Sequence, residues 1–192
     1  HLMDCHNQPL SAEQCLLGAA TEVSNRWNFG AQLVTIELDL SPYLKYSHDS
    51  KDPTMLTLTQ QFEFSAAHRL HCDTYNDEKN REVFGKCNNP NGHGHNYVVD
   101  VCLRRDVQDE GANGQVIALH ELEATVKQLV IDRLDHKHLN LDIDYFKQVN
   151  PTVENIAIVI WQWLEGQFRE AKLMAVRVYE TPKTWAEYRG PS

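Results

Sequence analysis

The feature of this sequence that most limits its possible folds is a change in hydrophobic period, from two to about 3.6 and back again. Apolar residues alternate in 56–68 and 97–103, as they do in half-buried strands. They recur every three or four residues in 118–134, and a second helical pattern begins near Thr152. Two more strands are predicted at 175–180 and 185–189. The order β, β, α, α, β, β predicts an α+β fold, an antiparallel sheet with two helices on one face.

The N-terminal part of the chain does not belong to this pattern, and we expect residues 1–56 to form an extension. Residues 9–27 are compatible with a short helix. A strand is predicted from alternation at Val34, Ile36, Leu38 and Leu40. The polar residues 41–53 should interrupt it, so that it pairs with the strand at 56–68 as a hairpin. We recognise no internal repeat, and divide the chain into an extension, 1–56, and a domain, 57–192.

Charge and composition exclude several classes of function. With 18 Lys and Arg against 27 Asp and Glu, the formal charge is −9, which argues against nucleic acid as a partner. No run of about 18 apolar residues is present, so we expect no membrane span. The chain shows no basic segment followed by a hydrophobic one, so we expect no signal peptide. The five cysteines form no CxxC pair and are odd in number, which favours a reducing, cytoplasmic location.

The densest chemical signal is the segment Cys87–Asn96, which contains His93-Gly94-His95. Residues i and i+2 of a strand share a face, so His93 and His95 can direct their imidazoles to one point. Catalytic zinc commonly takes three protein ligands, and His68 at the end of the preceding strand is our candidate for the third. A His-x-His pair alone is more often two surface histidines than a metal site. The flanking residues must therefore show whether this pair is a metal site or two surface histidines.

Four separated segments carry a resemblance to a known family. Phe64-Ser-Ala-Ala-His68, the run Cys87–Asn96, Leu134-Asp-His136 and Val178-Tyr-Glu180 resemble motifs of the 6-pyruvoyltetrahydropterin synthase family, in the same order and at compatible separations. The resemblance covers residues 57–190, and the first 56 residues have no match. It implies the tunnelling fold of that family, which agrees with the predicted order of strands and helices.

The resemblance implies a zinc site and a proton-transfer group. The Zn²⁺ ligands would be His68, His93 and His95. Cys87 would be the catalytic base, and a metal or a cation such as Lys86 could lower the pKa of its thiol. Asp135 and His136 would relay the proton, although neighbouring residues need not pair with each other.

The resemblance also implies three contacts to substrate. Glu180, at the end of a strand, would accept hydrogen bonds from the pterin ring. Thr152 and Glu154 would contact the substrate from the start of the second helix, although helix capping alone would explain both residue types.

The family converts 7,8-dihydroneopterin triphosphate to 6-pyruvoyltetrahydropterin with elimination of triphosphate. The resemblance therefore implies a lyase with a small-molecule substrate, assembled as a homohexamer of two trimers with sites between subunits. One alternative is 6-carboxytetrahydropterin synthase of queuosine biosynthesis, which usually places its cysteine nearer to His-Gly-His than Cys87 lies. A non-catalytic zinc-binding scaffold is the other alternative, and the presence of Cys87, Asp135, His136 and Glu180 argues against it.

Overall fold

The computed structural model describes Leu16 and residues 35–49, 54–106, 108–109, 112 and 114–191. The helix predicted within residues 9–27 lies outside the described residues except for Leu16, which is helical and buried.

The chain divides into two compact units. The first comprises residues up to 61, with 102–122 and 168–174, and the second comprises 62–101, 123–167 and 175–192. The division at residue 56 into extension and domain stays a prediction.

The described strands form an antiparallel sheet, to which one short parallel strand is added. The strands are β1 (Thr35–Ser41), β2 (Leu44–Asp49), β3 (Met55–His68), β4 (His93–Asp106), β5 (Lys137–His138), β6 (Lys172–Thr181) and β7 (Thr184–Tyr188). Their order is β1-β2-β3-β4-β6-β7, and β5 pairs with β3 in parallel. The predicted α+β class is confirmed.

The N-terminal strands differ from the prediction. Residues 41–53 contain β2, which pairs with both β1 and β3, so the predicted direct hairpin between the first two strands is wrong. The reason is that Tyr46 and His48, two residues apart, point inward and are buried. This short alternation is enough to make a strand from a segment of polar composition.

A short helix that we did not predict precedes Cys87. Helix α1 (Asp77–Phe84) lies between the two strands predicted at 56–68 and 97–103. Asn76 caps it by accepting a hydrogen bond from the N–H of Lys79, and Asp77 and Glu78 occupy its first turn. A 3₁₀ turn, Gly85–Asn88, follows directly and carries Cys87.

The first predicted helix, 118–134, is present but is not a regular α-helix. Helix α2 (Leu119–Val126) continues through a π-helical turn, Lys127–Ile131, into α3 (Asp132–Leu134). Its fully buried residues are four apart: Leu122, Val126, Val130 and Leu134. A spacing of four exceeds the 3.6 residues of an α-helical turn, and the wider π turn keeps these side chains on one face.

Helix α4 (Leu139–Asp142) and a 3₁₀ turn, Asp144–Lys147, lead to the second predicted helix. This is α5 (Val153–Leu164), and Thr152 is its N-cap. Phe168, four residues beyond the end of this helix, is also buried. In the second unit the Trp161 ring of α5 meets the Tyr188 ring of β7 edge-on, with centroids 5.6 Å apart. Within the described residues, no helix is long and apolar enough to cross a membrane.

Candidate metal and catalytic site

The candidate site lies within the second unit and is built around His68 at the end of β3. The His68 side chain is fully buried, and its Nδ1 lies 2.8 Å from the carbonyl oxygen of Pro151. Nδ1 must carry the proton to donate this bond, which leaves the lone pair on Nε2 free to bind a metal. The hydroxyl of Tyr97 lies 3.4 Å from the same Nδ1.

The two histidines of β4 approach His68 as their strand spacing predicts. The Nε2 atoms of His68 and His93 are 3.1 Å apart, and the His93 and His95 ring centroids are 4.8 Å apart. Nε2 of His95 is buried and has no hydrogen-bond partner among the described residues. A buried polar atom without a partner is costly, so three convergent imidazole nitrogens fit a bound cation better than mutual contact.

Glu180 on β6 completes a group of four ligand atoms. Its Oε1 lies 3.3 Å from Nε2 of His68 and 3.4 Å from Nε2 of His95. The candidate ligand atoms of these residues and His93 all lie within 4.8 Å of one another. Three imidazole nitrogens and one carboxylate oxygen form a donor set that suits zinc. The residues present therefore fit a metal ion. We call His68, His93, His95 and Glu180 the four-ligand group, a name for the four candidate donor atoms and not for the number of them that bind the metal.

The histidines of this group are held in the form that binds metals. Burial lowers the pKa of His68 to about 4, and the neighbouring His93 and His95 act in the same direction. Burial, followed by the nearby His95, also lowers the pKa of His93. Both imidazoles are therefore neutral at neutral pH, as coordination requires.

We expect the metal-free protein to lose stability as the pH falls from 6.5 towards 4. In this window the unfolded chain binds a proton at His68, whereas the folded chain keeps the imidazole neutral. A pKa difference between 6.5 and about 4 corresponds to about 3 kcal/mol in the free energy of unfolding. Urea unfolding at about pH 7 and about pH 4.5 measures the loss. His68→Gln cannot titrate at this position and should lose less stability; equal losses in both proteins would contradict the assignment.

Cys87 lies beside the four-ligand group on the turn that follows α1. Its carbonyl accepts a hydrogen bond from the N–H of Leu70 at 2.9 Å, and the Asn88 side chain donates to the carbonyl of Leu70 at 2.7 Å. The thiol is half-buried. Burial, and then the Glu180 carboxylate, raise the pKa of the Cys87 thiol. Among the described residues, the local charge therefore acts against the lowering that we expected from Lys86.

Asp135 and His136 do pair with each other, a point that the sequence left open. Oδ2 of Asp135 lies 2.7 Å from Nδ1 of His136, and its Oδ1 accepts the N–H of Ser65 at 2.8 Å. The N–H of His136 donates to the carbonyl of Ser65. These bonds hold His136 at a φ of 57°, which is uncommon for a residue other than glycine. Its side chain is 84% exposed, and no hydrogen bond or ion pair of the described residues joins the pair to Cys87.

An open pocket of about 540 Å³ lies beside the exposed pair. His95 and His136 both line it, together with residues of β3, β4 and β5: Ser65, Ala66, Ala67, Gly94, Asn96, Lys137 and His138. The pocket thus connects one histidine of the four-ligand group with the imidazole of the predicted proton relay. A small molecule bound there would contact both.

Comparison with known proteins identifies the family of this fold and site. The family model for 6-pyruvoyl tetrahydropterin synthase matches residues 57–191. The chain belongs to this family. A 6-pyruvoyl tetrahydrobiopterin synthase of Drosophila melanogaster is 42% identical over 135 residues, which are 70% of this chain and 79% of the relative. The corresponding protein of Homo sapiens is 41% identical over 133 residues, 69% of this chain and 90% of the relative.

The fold of the family is confirmed by a solved structure. The 6-pyruvoyl tetrahydropterin synthase of Caenorhabditis elegans matches with a TM-score of 0.65 and 41% identity, over 71% of this chain and 96% of that one. The predicted membership of the 6-pyruvoyl tetrahydropterin synthase family is therefore confirmed.

Within this pterin synthase fold, Thr152 and Glu154 occupy the first turn region of α5. The Thr152 hydroxyl accepts a hydrogen bond from the N–H of Asn155 at 3.4 Å, and Glu154 is exposed. Capping therefore accounts for Thr152 without a ligand. Their predicted contacts with substrate stay predictions.

Sequence reasoning missed three parts of this synthase-family site. The Pro151 carbonyl that orients His68 gives no sequence signal, since any residue carries a carbonyl. His138 approaches Gly92 so closely that a Cβ there would lie 2.8 Å from its Nε2. Gly92 also has a φ of 71°, which favours glycine. Both the lack of space for a Cβ and the backbone conformation therefore require glycine at this position. Only the Asn-Gly sequence before His93 marks this turn in advance.

Proposed function

We propose that this chain is a zinc-dependent 6-pyruvoyltetrahydropterin synthase, which converts 7,8-dihydroneopterin triphosphate to 6-pyruvoyltetrahydropterin and eliminates triphosphate. The observation that carries the proposal is the four-ligand group beside Cys87, in a chain of this family. When bound there, zinc supplies Lewis acidity at the hydroxyl oxygens of the substrate side chain. The free thiols of Cys72 and Cys87 support a reducing, cytoplasmic location.

The remaining chemistry belongs to the side chains of the chain itself. The Cys87 thiolate removes a proton from the substrate side chain, and the Asp135–His136 pair delivers or accepts a proton at Nε2 of His136. The Asp135 carboxylate fixes the tautomer, because its bond to Nδ1 leaves Nε2 as the exchanging atom. Ser65 holds this carboxylate ionised, since its N–H lowers the pKa of Asp135, with the His136 contact adding to the effect.

Metal analysis tests the proposed site. Purified protein should contain about one zinc per chain, and chelation should abolish turnover until zinc is restored. His93→Ala should lose most of the metal, because it removes one of the three imidazoles from the four-ligand group. His120→Ala, a histidine on α2 outside this group, is the matched control. Full metal content and activity in His93→Ala would contradict the assignment.

We further propose that Glu180 anchors the pterin ring. Glu180→Gln keeps the shape but loses the charge-assisted hydrogen bonds, so affinity for substrate should fall by about 2 kcal/mol, or about thirtyfold. Because three histidines remain, the zinc content should change little. Calorimetry with a pterin analogue measures the first effect and elemental analysis the second. Unchanged pterin affinity together with lost zinc would make Glu180 a metal ligand and not a pterin anchor.

The proposed assembly is a homohexamer of two trimers in which another copy completes each site. The support is that the Asp135–His136 pair binds to Ser65 and that no hydrogen bond or ion pair of the described residues joins it to the Cys87 of its own chain. Its exposed imidazole is available to a second chain. Light scattering at micromolar concentration tests the assembly, and a monomer would contradict it.

A further inference from the structure

The hairpin of β1 and β2 repeats the geometry of the hairpin of β6 and β7, 140 residues later in the chain. Ile36 pairs with His48 in the first, and Val176 pairs with Tyr188 in the second. Four further pairs match at the same offset of 140 residues. The register shift matches too, and falls between Asp39 and Ser41 in one hairpin and between Tyr179 and Thr181 in the other. Bulges at equal positions are specific features of a strand pair.

The turns of the two hairpins also agree in their side-chain hydrogen bonds. The hydroxyl of Ser41 accepts the N–H of Tyr43 at 3.1 Å, and the hydroxyl of Thr181 accepts the N–H of Lys183 at 3.2 Å. The likeness is one of geometry, and it does not contradict our statement that the sequence holds no internal repeat. The proline after each hydroxyl residue is the single identity between residues 35–49 and 175–189.

The first hairpin shows how such a hairpin docks on a neighbouring strand. Strand β2 pairs antiparallel with residues 56–60 of β3, from Leu44 opposite Gln60 to His48 opposite Leu56. Strand β7 is the equivalent of β2, and among the described residues it pairs only with β6, at the end of the sheet. Tyr46 and His48 of β2 are buried, whereas the equivalent residues of β7, Ala186 and Tyr188, are half-buried. An edge strand of this kind can accept another strand.

From these observations we propose that the β1–β2 hairpin is an intramolecular competitor for assembly. The hairpin pairs with residues 56–60 of β3, and we propose that β7 of a second copy would pair with the same five residues. In the equivalent register, Glu187 of one copy would lie opposite Thr57 of the other. Docking of the hairpin and docking of a second copy at this edge exclude each other. The inference rests on the proposed assembly and assigns a role to the N-terminal segment, which the family model does not cover.

Releasing the hairpin should therefore favour assembly. Tyr46→Asp places a charge on the buried face of β2, where Tyr46 is 3% exposed, and should undock the hairpin. Ser47→Asp adds the same charge to the half-buried side of β2 and is the control. Hydrogen exchange at residues 44–48 shows whether the hairpin is released. In sedimentation velocity, Tyr46→Asp should assemble at a concentration at least about tenfold lower than wild type or the control.

Disulfide trapping tests the register. Residues directly opposite in an antiparallel pair are close enough for a disulfide. Ser47→Cys with Thr57→Cys should lock the hairpin within one chain and suppress assembly. Glu187→Cys with Thr57→Cys should link separate chains, rapidly in the Tyr46→Asp background and slowly in the wild-type background. The single-cysteine variants control for links through native thiols.

The outcomes separate this inference from the assembly on which it rests. If the released protein (Tyr46→Asp), the disulfide-locked protein and the wild type all form hexamers at the same concentration, the proposed competition is wrong and the proposed assembly stands. Assembly of the released protein without the Glu187–Thr57 link would overturn the register. A monomer in every variant, with the hairpin shown to be released, would overturn both the competition and the assembly.

Discussion

Replacing Cys87 with alanine should lower kcat by about a hundredfold or more, while zinc content and substrate affinity change little. The reason is that the thiol lies beside the four-ligand group without being one of its members. Stopped-flow or steady-state release of triphosphate measures turnover, and calorimetry measures binding. Cys72→Ala is the matched control, because Cys72 is also a free thiol but bonds to Thr74 outside the site.

The dependence of turnover on pH is a second test of Cys87 as the catalytic base. Turnover should rise with pH as the thiol ionises, and this limb should disappear in Cys87→Ala. Since the Glu180 carboxylate contributes to raising the pKa of Cys87, Glu180→Gln should move the limb to lower pH when substrate is saturating. Wild-type turnover with an unchanged profile in Cys87→Ala would assign the base to His136 or to a zinc-bound hydroxide.

Mixing two inactive variants should restore activity if separate chains complete one site. Cys87→Ala and His136→Ala each remove one partner, and random assembly of an equal mixture gives about one quarter of the sites both intact groups. The mixture should therefore regain about one quarter of wild-type activity after dissociation and reassembly, measured where light scattering shows the assembled form. A mixture of His136→Ala with Asp135→Ala should stay inactive, because both changes damage the same pair.

An outcome in which the Cys87→Ala and His136→Ala mixture stays inactive, although mixed assemblies form, would contradict a shared site. Cys87 and His136 would then act within one chain, across the pocket that His95 and His136 line. Sedimentation of differently tagged variants establishes whether mixed assemblies are present.

The elements that the sequence predicts well are those whose pattern is set by burial on one face. Alternation predicted β3 and β4, and the His-Gly-His spacing placed two imidazoles on one face of β4. Helix α1 was missed because it buries little besides Asn80, so no apolar stripe marks it. Its capping residue Asn76 was the available signal.

The parts of the site that escaped prediction depend on contacts distant in sequence. The bond from His68 to the carbonyl of Pro151 joins residues 83 positions apart, and backbone groups leave no trace in composition. The approach of Glu180 to His68 and His95 depends on which strands are neighbours in the sheet. The pKa of the Cys87 thiol is raised first by burial and then by Glu180, and both effects come from residues distant in sequence and not from the neighbouring Lys86.

The identity of the product tests the proposed reaction most directly. The zinc-loaded protein should be incubated with 7,8-dihydroneopterin triphosphate in the absence of any reductant, and the pterin product and the released phosphate analysed by mass spectrometry. The expected products are 6-pyruvoyltetrahydropterin and one equivalent of inorganic triphosphate. A product with a shortened side chain, such as 6-carboxytetrahydropterin, would contradict the proposed reaction and leave the metal site in place, whereas unchanged substrate with a fully occupied zinc site would indicate the non-catalytic scaffold.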